Sequence, residues 1–253
     1  MAETGGTNLT LDLDAATVGV FVMPDTWVRN AVAEAIGVFA LVFVGVLVIA
    51  NGADLTGIAL AHGLTIAVMV AALGHVSGGH FNPAITLGLM LGRKIDLPMA
   101  VVYWVAQLVG AIVAAILIAL AADRDVVAFG TPVVADDVNM VWAILLELVA
   151  TFFLVLVVFG TVVDRRAPAS VYPFAIGLAI TAGIFAIGPY TGAALNPARG
   201  FGPALVGGEW GGIAAWLIGP LLGGVLAWAL HEYVLMPREQ ADSIAESGRR
   251  DQV

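Results

Sequence analysis

Six stretches of about twenty mostly apolar residues constrain this chain more than any other feature. A helix needs about 20 such residues to cross a bilayer core of about 30 Å. The pattern therefore predicts an all-α membrane protein that crosses the bilayer six times. The predicted spans cover residues 28–50, 55–75, 98–122, 139–163, 171–189 and 211–235.

The composition supports this conclusion and excludes several classes of protein. Of the 253 residues, 60% are hydrophobic and only 11% are charged, whereas a soluble domain is about 45–50% apolar and about 25% charged. So few charges argue against a soluble enzyme, a nucleic-acid-binding protein and a disordered chain. The chain has no cysteine, so no disulfide or thiolate chemistry is available. We expect no signal peptide, because no basic segment precedes an apolar run near the start.

Two further apolar stretches, residues 82–92 and 196–206, are too short to cross the membrane. At 1.5 Å per residue each covers about 16 Å, which is half of the core. Both begin with Asn-Pro-Ala, in which Asn is a good N-cap and Pro is favoured at the first helical position. Each stretch is therefore predicted to be a half-helix that begins abruptly. The residues of the two motifs are Asn82, Pro83, Ala84, Asn196, Pro197 and Ala198.

The chain repeats itself at an offset of 113–114 residues. Each half contains three spans, and because three is odd, the second copy enters the membrane from the opposite side. Such an inverted repeat directs the two half-helices toward each other, so the Asn-Pro-Ala motifs are predicted to meet near the bilayer midplane. Besides these motifs, the matched pairs include Glu34 and Glu147, Gly63 and Gly177, and Gly110 and Gly223.

The repeat and the charge pattern divide the chain into five segments. The net charge is −9, and the acidic residues concentrate near the N-terminus and in the central connection. We expect an acidic N-terminal tail over 1–27, a first repeat over 28–122, an acidic connecting loop over 123–138, a second repeat over 139–235 and a polar C-terminal tail over 236–253.

The basic residues predict the orientation. If both termini are cytoplasmic, eight of the ten Lys and Arg residues lie on the cytoplasmic side, and only Arg124 and Arg199 lie on the other. This is the positive-inside bias of membrane proteins. We therefore expect a multi-pass protein of the cell membrane with both termini in the cytoplasm.

Facing half-helices would create a positive region at the bilayer centre without a buried formal charge. Each helix N-terminus carries roughly +0.5 of a charge and free N–H groups, and Asn82 and Asn196 add carboxamide donors. A water whose oxygen accepts from both donors cannot also accept from a neighbouring water, so proton transfer is interrupted while water passes. The pattern favours a passive channel that conducts water and excludes protons and ions over two unrelated Asn-Pro helix starts.

Two segments resemble the signature loops of the aquaporin, or major intrinsic protein, family. Residues 77–84 read Ser-Gly-Gly-His-Phe-Asn-Pro-Ala, and residues 191–199 read Thr-Gly-Ala-Ala-Leu-Asn-Pro-Ala-Arg. Matching elements extend from about Arg29 to Val234. The resemblance implies a homotetramer in the lipid bilayer, one pore per subunit, and passive conduction of water or small neutral solutes. We expect no cofactor, no metal and no nucleic-acid partner.

The family resemblance also implies a narrow selectivity filter formed by His62, Ile184, Ala193 and Arg199. The guanidinium of Arg199, directly after the second motif, could bind permeant water and repel cations. The alternative for Arg199 is a structural residue bonded to loop carbonyls. The alternative for His62 is a packing residue of its span.

This residue set differs from two patterns in the family. Strictly water-selective members carry an aromatic residue in the second span and His in the fifth, and glycerol-conducting members carry Asp after the Arg, where this chain has Gly200. The set resembles some plant tonoplast members, and the aliphatic Ile184 resembles some archaeal ones. We therefore expect a permissive filter that passes ammonia and other small neutral solutes besides water. A lysine-poor acidic chain also suits a high-salt habitat, which favours a prokaryotic source such as an archaeon, although solvated acidic tails explain the charge as well.

Three other polar residues require a role. The resemblance implies that Glu34 and Glu147 accept hydrogen bonds from the motif loops and that His80 lines the cytoplasmic half of the pore. A proton-coupling carboxylate pair in an inverted-repeat secondary transporter is the alternative. An ion channel and an enzyme are further alternatives, but no nucleophile motif, phosphate loop or metal-ligand cluster is evident. His75 and His80 are too loosely spaced for a metal site without a third ligand.

Overall fold

The computed structural model describes residues 26–168 and 170–236. Most of the predicted N-terminal tail, and the C-terminal tail beyond residue 236, lie outside these described residues. The described part forms nine α-helices. They are α1 (Trp27–Ala50), α2 (Leu55–Ser77), α3 (Pro83–Leu91), α4 (Leu97–Ala121), α5 (Arg124–Phe129), α6 (Met140–Val158), α7 (Tyr172–Thr191), α8 (Pro197–Gly207) and α9 (Ile213–Leu230).

Six of these helices are long and apolar enough to cross a membrane, as predicted. They are α1, α2, α4, α6, α7 and α9, and the last turns of α6 and α9 continue as π-helix over Phe159–Val163 and His231–Leu235. The observed ends differ from the predicted spans by no more than two residues. The six spans and the shorter helices between them confirm the predicted all-α membrane fold.

The short helices α3 and α8 begin at the two Asn-Pro-Ala motifs. Asn82 Oδ1 accepts a hydrogen bond from the backbone N–H of Ala84, and Asn196 Oδ1 accepts from those of Ala198 and Arg199. The next residue in each case is a proline at the first helical position, where no N–H is needed. Local sequence therefore determines where each half-helix starts.

The helix packing follows the inverted repeat. The most extensive contacts join the first and third spans within each half, α1 with α4 and α6 with α9, and join the second spans of the two halves, α2 with α7. The half-helix α3 packs mainly against α9, and α8 packs mainly against α4. Each half-helix is thus held by the last span of the other half.

Matched glycines allow these spans to approach closely. A Cβ atom added to Gly63 would lie closer than 3.0 Å to the carbonyl oxygen of Gly177, and one added to Gly177 would meet the carbonyl of Gly63 in the same way. Gly110 in α4 lies equally close to the backbone of α1, and Gly223 in α9 to the backbone of α6. Small residues serve this purpose in membrane helices, because they let backbones touch.

The ends of the bundle differ in charge. We call the end that carries Arg93, Lys94, Arg165 and Arg166 the basic face, and the end that carries α5 the opposite face. The connecting segment 123–138, predicted to be a loop, contains the short helix α5, which Asp123 caps by accepting from the N–H of Asp125. Helix α5 packs against α8, so it covers part of the second half-helix on the opposite face.

Candidate functional site

The two Asn-Pro-Ala motifs meet at the centre of the molecule and bind each other's loops. Asn82 Nδ2 donates to the carbonyl oxygen of Leu195 at 2.8 Å, and Asn196 Nδ2 donates to that of Phe81 at 2.8 Å. Each side chain thus uses its oxygen to cap its own half-helix and one N–H to bind the other loop. The second N–H of each carboxamide remains, and both asparagines line the central lumen.

The residue before each asparagine adopts a left-handed backbone conformation. Phe81 has a φ of 48° and Leu195 a φ of 51°. This region is uncommon for residues with a side chain, and each such residue costs about 1–3 kcal/mol. The conformation aims the two carbonyl groups at the opposite asparagines, so the surrounding contacts must hold it in place.

Glu34 supplies these contacts in the first half. Its Oε1 accepts from Ser77 Oγ at 2.7 Å and from the N–H of His80 at 3.0 Å. Its Oε2 accepts from the N–H of Phe81 at 2.7 Å and from Gln107 Nε2 at 2.8 Å. The side chain is fully buried. The carboxylate therefore fastens the loop that carries the first motif to α1.

Glu147 occupies the same position in the second half. Its Oε1 accepts from Thr191 Oγ1 at 2.7 Å and from the N–H of Ala194 at 2.8 Å, and its Oε2 accepts from the N–H of Leu195 at 2.9 Å. Every partner is a donor, as a carboxylate requires. A carboxylic acid would need an acceptor for its own proton, and the two backbone N–H groups provide none. Among these partners only the Thr191 hydroxyl can accept, when it donates instead to the carbonyl oxygen of Ile187 at 3.3 Å. Two of the three partners are obligate donors, which favours a carboxylate that holds the loop over a proton-coupling group.

Three cavities follow one another from one face to the other beside the two motifs. On the basic face a cavity of about 700 Å³ is lined by Lys94, Arg165 and His80. On the opposite face a cavity of about 300 Å³ is lined by Thr131, Arg199 and other residues. The lumen between them has a volume of only about 20 Å³ and shares His80 with the first cavity and Arg199 with the second. A water needs a cavity of about 10–15 Å³, so the lumen has room for one or two waters at a time.

The structure brings the four predicted filter residues together around this lumen. His62, Ile184, Ala193 and Arg199 all line it, and all are almost completely buried. They come from α2, α7, the second motif loop and α8. The lumen thus narrows where side chains from both halves converge.

Arg199 contacts a loop carbonyl and His62 and also lines the lumen. Its Nη1 donates to the carbonyl oxygen of Gly130 at 2.8 Å, and its Nη2 lies 3.5 Å from His62 Nε2. His62 Nδ1 donates to the carbonyl oxygen of Ile58 at 2.8 Å, so the proton is on Nδ1 and Nε2 is an acceptor turned toward the guanidinium. One branch of Arg199 is anchored to a loop carbonyl, while the residue still lines the lumen.

The other two histidines considered from the sequence, His75 and His80, have different surroundings in the structure. His80 lines the lumen, whereas His75 is exposed near the end of α2. Within residues 26–168 and 170–236, no group of three or more His, Cys, Asp or Glu side chains is placed to hold a metal ion.

Several residues that complete the site were not identified from the sequence. Ser77 and Thr191 match at an offset of 114, so the internal repeat carried a signal for the hydroxyl that meets each glutamate. Gln107 is a polar residue in an apolar span, which is itself a reason to expect a function. Gly130 offers no such signal, because it contributes only a carbonyl oxygen from a distant loop.

Fold and site together define an inverted-repeat membrane channel. Six spans surround two half-helices whose N-termini meet beside a narrow lumen, and this lumen shares lining residues with a wider cavity on each face.

Comparison with known proteins identifies the family. The sequence profile described as Major intrinsic protein matches residues 22–231. Aquaporin TIP4-4 of Zea mays is 42% identical over 237 residues, which cover 85% of this chain and 93% of that protein. Probable aquaporin TIP3-2 of Oryza sativa subsp. japonica is 43% identical over 191 residues, which cover 75% and 71%. The X-ray structure of the aquaglyceroporin from Plasmodium falciparum superimposes with a TM-score of 0.75 at 26% identity, over 83% of this chain and 98% of that one.

The chain therefore belongs to the major intrinsic protein family, and it is a multi-pass membrane protein and a passive water channel. Members of this family are channels and not enzymes. The relatives described above include plant proteins, and the prokaryotic source stays a prediction.

Proposed function

We propose that water crosses the lumen in single file and that His62, Ile184, Ala193 and Arg199 form its selectivity filter. The observation that carries this proposal is the lumen of about 20 Å³, lined by all four of these residues and by both motif asparagines. A passage of this size strips a permeant ion of its hydration shell, and the lining offers a cation no carboxylate in return.

Proton exclusion arises at the paired asparagines and at Arg199. Each asparagine keeps one carboxamide N–H for the lumen, because the other is bound to the opposite loop. A water that accepts from both is oriented with its hydrogens outward, which interrupts a chain of proton transfers. The two half-helix N-termini and the guanidinium add positive potential in the same region.

The filter is permissive because two of its four members carry only hydrocarbon. Ile184 and Ala193 offer no hydrogen-bonding side chain, and the Nε2 of His62 faces Arg199. A permeant solute therefore meets few side-chain polar groups that it must satisfy, and the small Ala193 leaves space. Ammonia and other small neutral solutes pass besides water.

Proteoliposome shrinkage in sucrose tests the water channel. We expect vesicles with the protein to shrink faster than empty vesicles, with a low activation energy and no ionic current. Shrinkage no faster than that of empty vesicles would disprove water conduction. Saturable, strongly temperature-dependent uptake would instead indicate the alternative function, an inverted-repeat secondary transporter.

Ammonia uptake tests the filter separately. We expect uptake above that of empty vesicles, and we expect Ile184→His to reduce it while water flux persists, because the imidazole adds a polar group and fills space. Ile184→Val is the matched control and retains the ammonia flux. Wild-type ammonia uptake equal to that of empty vesicles would refute the permissive filter.

We also propose a homotetramer in the cell membrane, with the basic face and both termini cytoplasmic. Arg93, Lys94, Arg165 and Arg166 on this face support the orientation, because cytoplasmic loops of membrane proteins are enriched in Lys and Arg. Native mass spectrometry of the detergent-solubilised protein tests the tetramer. Protease protection of terminal tags in right-side-out vesicles tests the orientation, and digestion of the tags from outside would reverse it.

A further inference from the structure

The hydroxyl of Thr86 is shared by three polar groups next to the lumen. Thr86 Oγ1 lies 3.1 Å from the carbonyl oxygen of Asn82, 3.1 Å from Gln107 Nε2 and 3.1 Å from His80 Nδ1. Thr86 is fully buried in the first turn of α3. Its three contacts connect the first motif, the span α4 and a histidine that lines the lumen.

These contacts determine the position of the hydrogens. The amide of Gln107 carries two hydrogens, of which one binds Glu34 Oε2 at 2.8 Å, so the other points to Thr86. The carbonyl oxygen of Asn82 accepts from the backbone N–H of Thr86 at 3.0 Å and has a second lone pair. Because this oxygen can only accept, the hydroxyl that lies 3.1 Å from it donates to that lone pair. A hydroxyl has one hydrogen and two lone pairs. Thr86 therefore accepts from both Gln107 and His80, which requires the proton of His80 to be on Nδ1.

We infer that Thr86 and Gln107 are positioning residues that hold His80 in the Nδ1–H tautomer, so that its Nε2 serves as a hydrogen-bond acceptor for water in the lumen. The functional role of this acceptor rests on the proposed water conduction, whereas the assignment of the tautomer does not depend on it. The ring of Tyr103 contacts His80 edge-on at a centroid distance of 5.0 Å, which restricts the ring plane as well.

The hydrogen-bond network of His80, Thr86 and Gln107 exists in one half of the molecule only. At the repeat offset of 113–114 residues, the positions that match His80, Thr86 and Gln107 are Ala194, Gly200 and Pro220. None of these side chains can take part in a hydrogen bond. The lumen therefore has a side-chain acceptor next to the asparagine donors on the side toward the basic face. A water between them turns its oxygen to the asparagines and a hydrogen to His80, which reinforces the orientation that excludes protons.

Nitrogen NMR of the protein in bilayers tests the tautomer directly. With ¹⁵N-labelled histidine, the His80 signals are assigned as those lost in His80→Asn. We expect Nδ1 of wild-type His80 to give the signal of a protonated ring nitrogen and Nε2 that of an unprotonated one. Thr86→Val removes the acceptor of Nδ1, so the Nε2–H tautomer becomes populated. Thr86→Ser keeps the hydroxyl and restores the wild-type pattern.

Water flux provides the functional readout. We expect Thr86→Val to lower the flux per channel about threefold, as the loss of one weak hydrogen bond predicts, and Thr86→Ser to restore it. A wild-type His80 protonated on Nε2 would overturn the inference even if Thr86→Val fails to fold. A Thr86→Val spectrum identical to that of the wild type would overturn it as well. Absence of water flux in the wild type would refute the proposed function and leave the tautomer measurement valid.

Discussion

Replacing Glu147 by glutamine removes one acceptor from a site where every partner is a donor. If the new NH₂ group takes the place of Oε2, it faces the backbone N–H of Leu195. If it takes the place of Oε1, it faces the N–H of Ala194, while the hydroxyl of Thr191 can rotate to accept. In either orientation, one buried backbone N–H of the second motif loop loses its acceptor.

The magnitude follows from these bonds. A buried donor without a partner costs about 1–3 kcal/mol. The two remaining bonds change from charge-assisted to neutral, which removes about 1 kcal/mol each. A neutral amide costs less to bury than a carboxylate, which offsets part of the loss. We expect Glu147→Gln to lower the free energy of unfolding by about 2–4 kcal/mol.

Equilibrium unfolding in mixed micelles with rising SDS fraction, followed by tryptophan fluorescence, measures this quantity. Glu209→Gln is the matched control, since Glu209 lies in the loop before α9 and accepts a single hydrogen bond, from Gly211, in an exposed setting. That variant should change stability by no more than about 0.5 kcal/mol.

A Glu147→Gln variant within about 1 kcal/mol of the wild type would refute the role of this carboxylate as a loop support. A variant that is fully stable but no longer takes up solute along a pH gradient would establish the proton-coupling alternative. Water flux of the folded fraction should fall in parallel with stability, because the same loop carries Ala193 and Asn196 to the lumen.

Three further predictions concern packing, chemistry and charge. Gly63→Ala should lower the free energy of unfolding by about 1–3 kcal/mol, because the added methyl group forces α2 away from α7. Gly160→Ala should lower it far less in the same assay, because a Cβ added there meets nothing within 4 Å. Equal losses in the two variants would contradict this prediction. Mercury should leave the water flux of the wild type unchanged, because the chain has no cysteine. Ala193→Cys should make the water flux sensitive to mercury. Inhibition of the wild type by mercury would count against the filter assignment. The Arg166 guanidinium beside Asp164 lowers the pKa of that carboxyl to about 2. Because the folded value lies below the unfolded one of about 3.9, the ion pair stabilises fully above about pH 4 and is lost as pH falls toward 2. A pKa of Asp164 in the usual range, measured by ¹³C NMR titration of its carboxyl group, would disprove this prediction.

Much of the fold could be predicted because a bilayer imposes simple rules on local sequence. The six spans were located to within two residues from hydropathy alone, and Asn-Pro at the start of each half-helix identified α3 and α8 as helices that begin abruptly. The helix α5 was not predicted. It is only six residues long, and too few residues are involved for a periodic pattern to be visible.

The candidate site was predictable to the extent that the repeat and the family resemblance extended to it. Glu34 and Glu147 stood out as a matched pair of charges in apolar spans, and the structure places each against its motif loop. The partners Gln107 and Gly130 were not predicted. Gln107 contacts a glutamate 73 positions away, and Gly130 contacts an arginine 69 positions away, so no local pattern connects them.

The sequence by itself determined that the chain spans a membrane six times, that its halves are inverted copies, and that two abrupt half-helices face each other. These properties follow from hydropathy, capping and the number of spans in each repeat, all of which are local or periodic. Only the tertiary structure decided which N–H of each asparagine remains for the lumen, how Arg199 divides its donors between Gly130 and His62, and where the proton of His80 lies. Each of these depends on hydrogen bonds whose direction is set by the placement of groups from different helices, and a hydrogen bond is sensitive to that placement within a few tenths of an ångström.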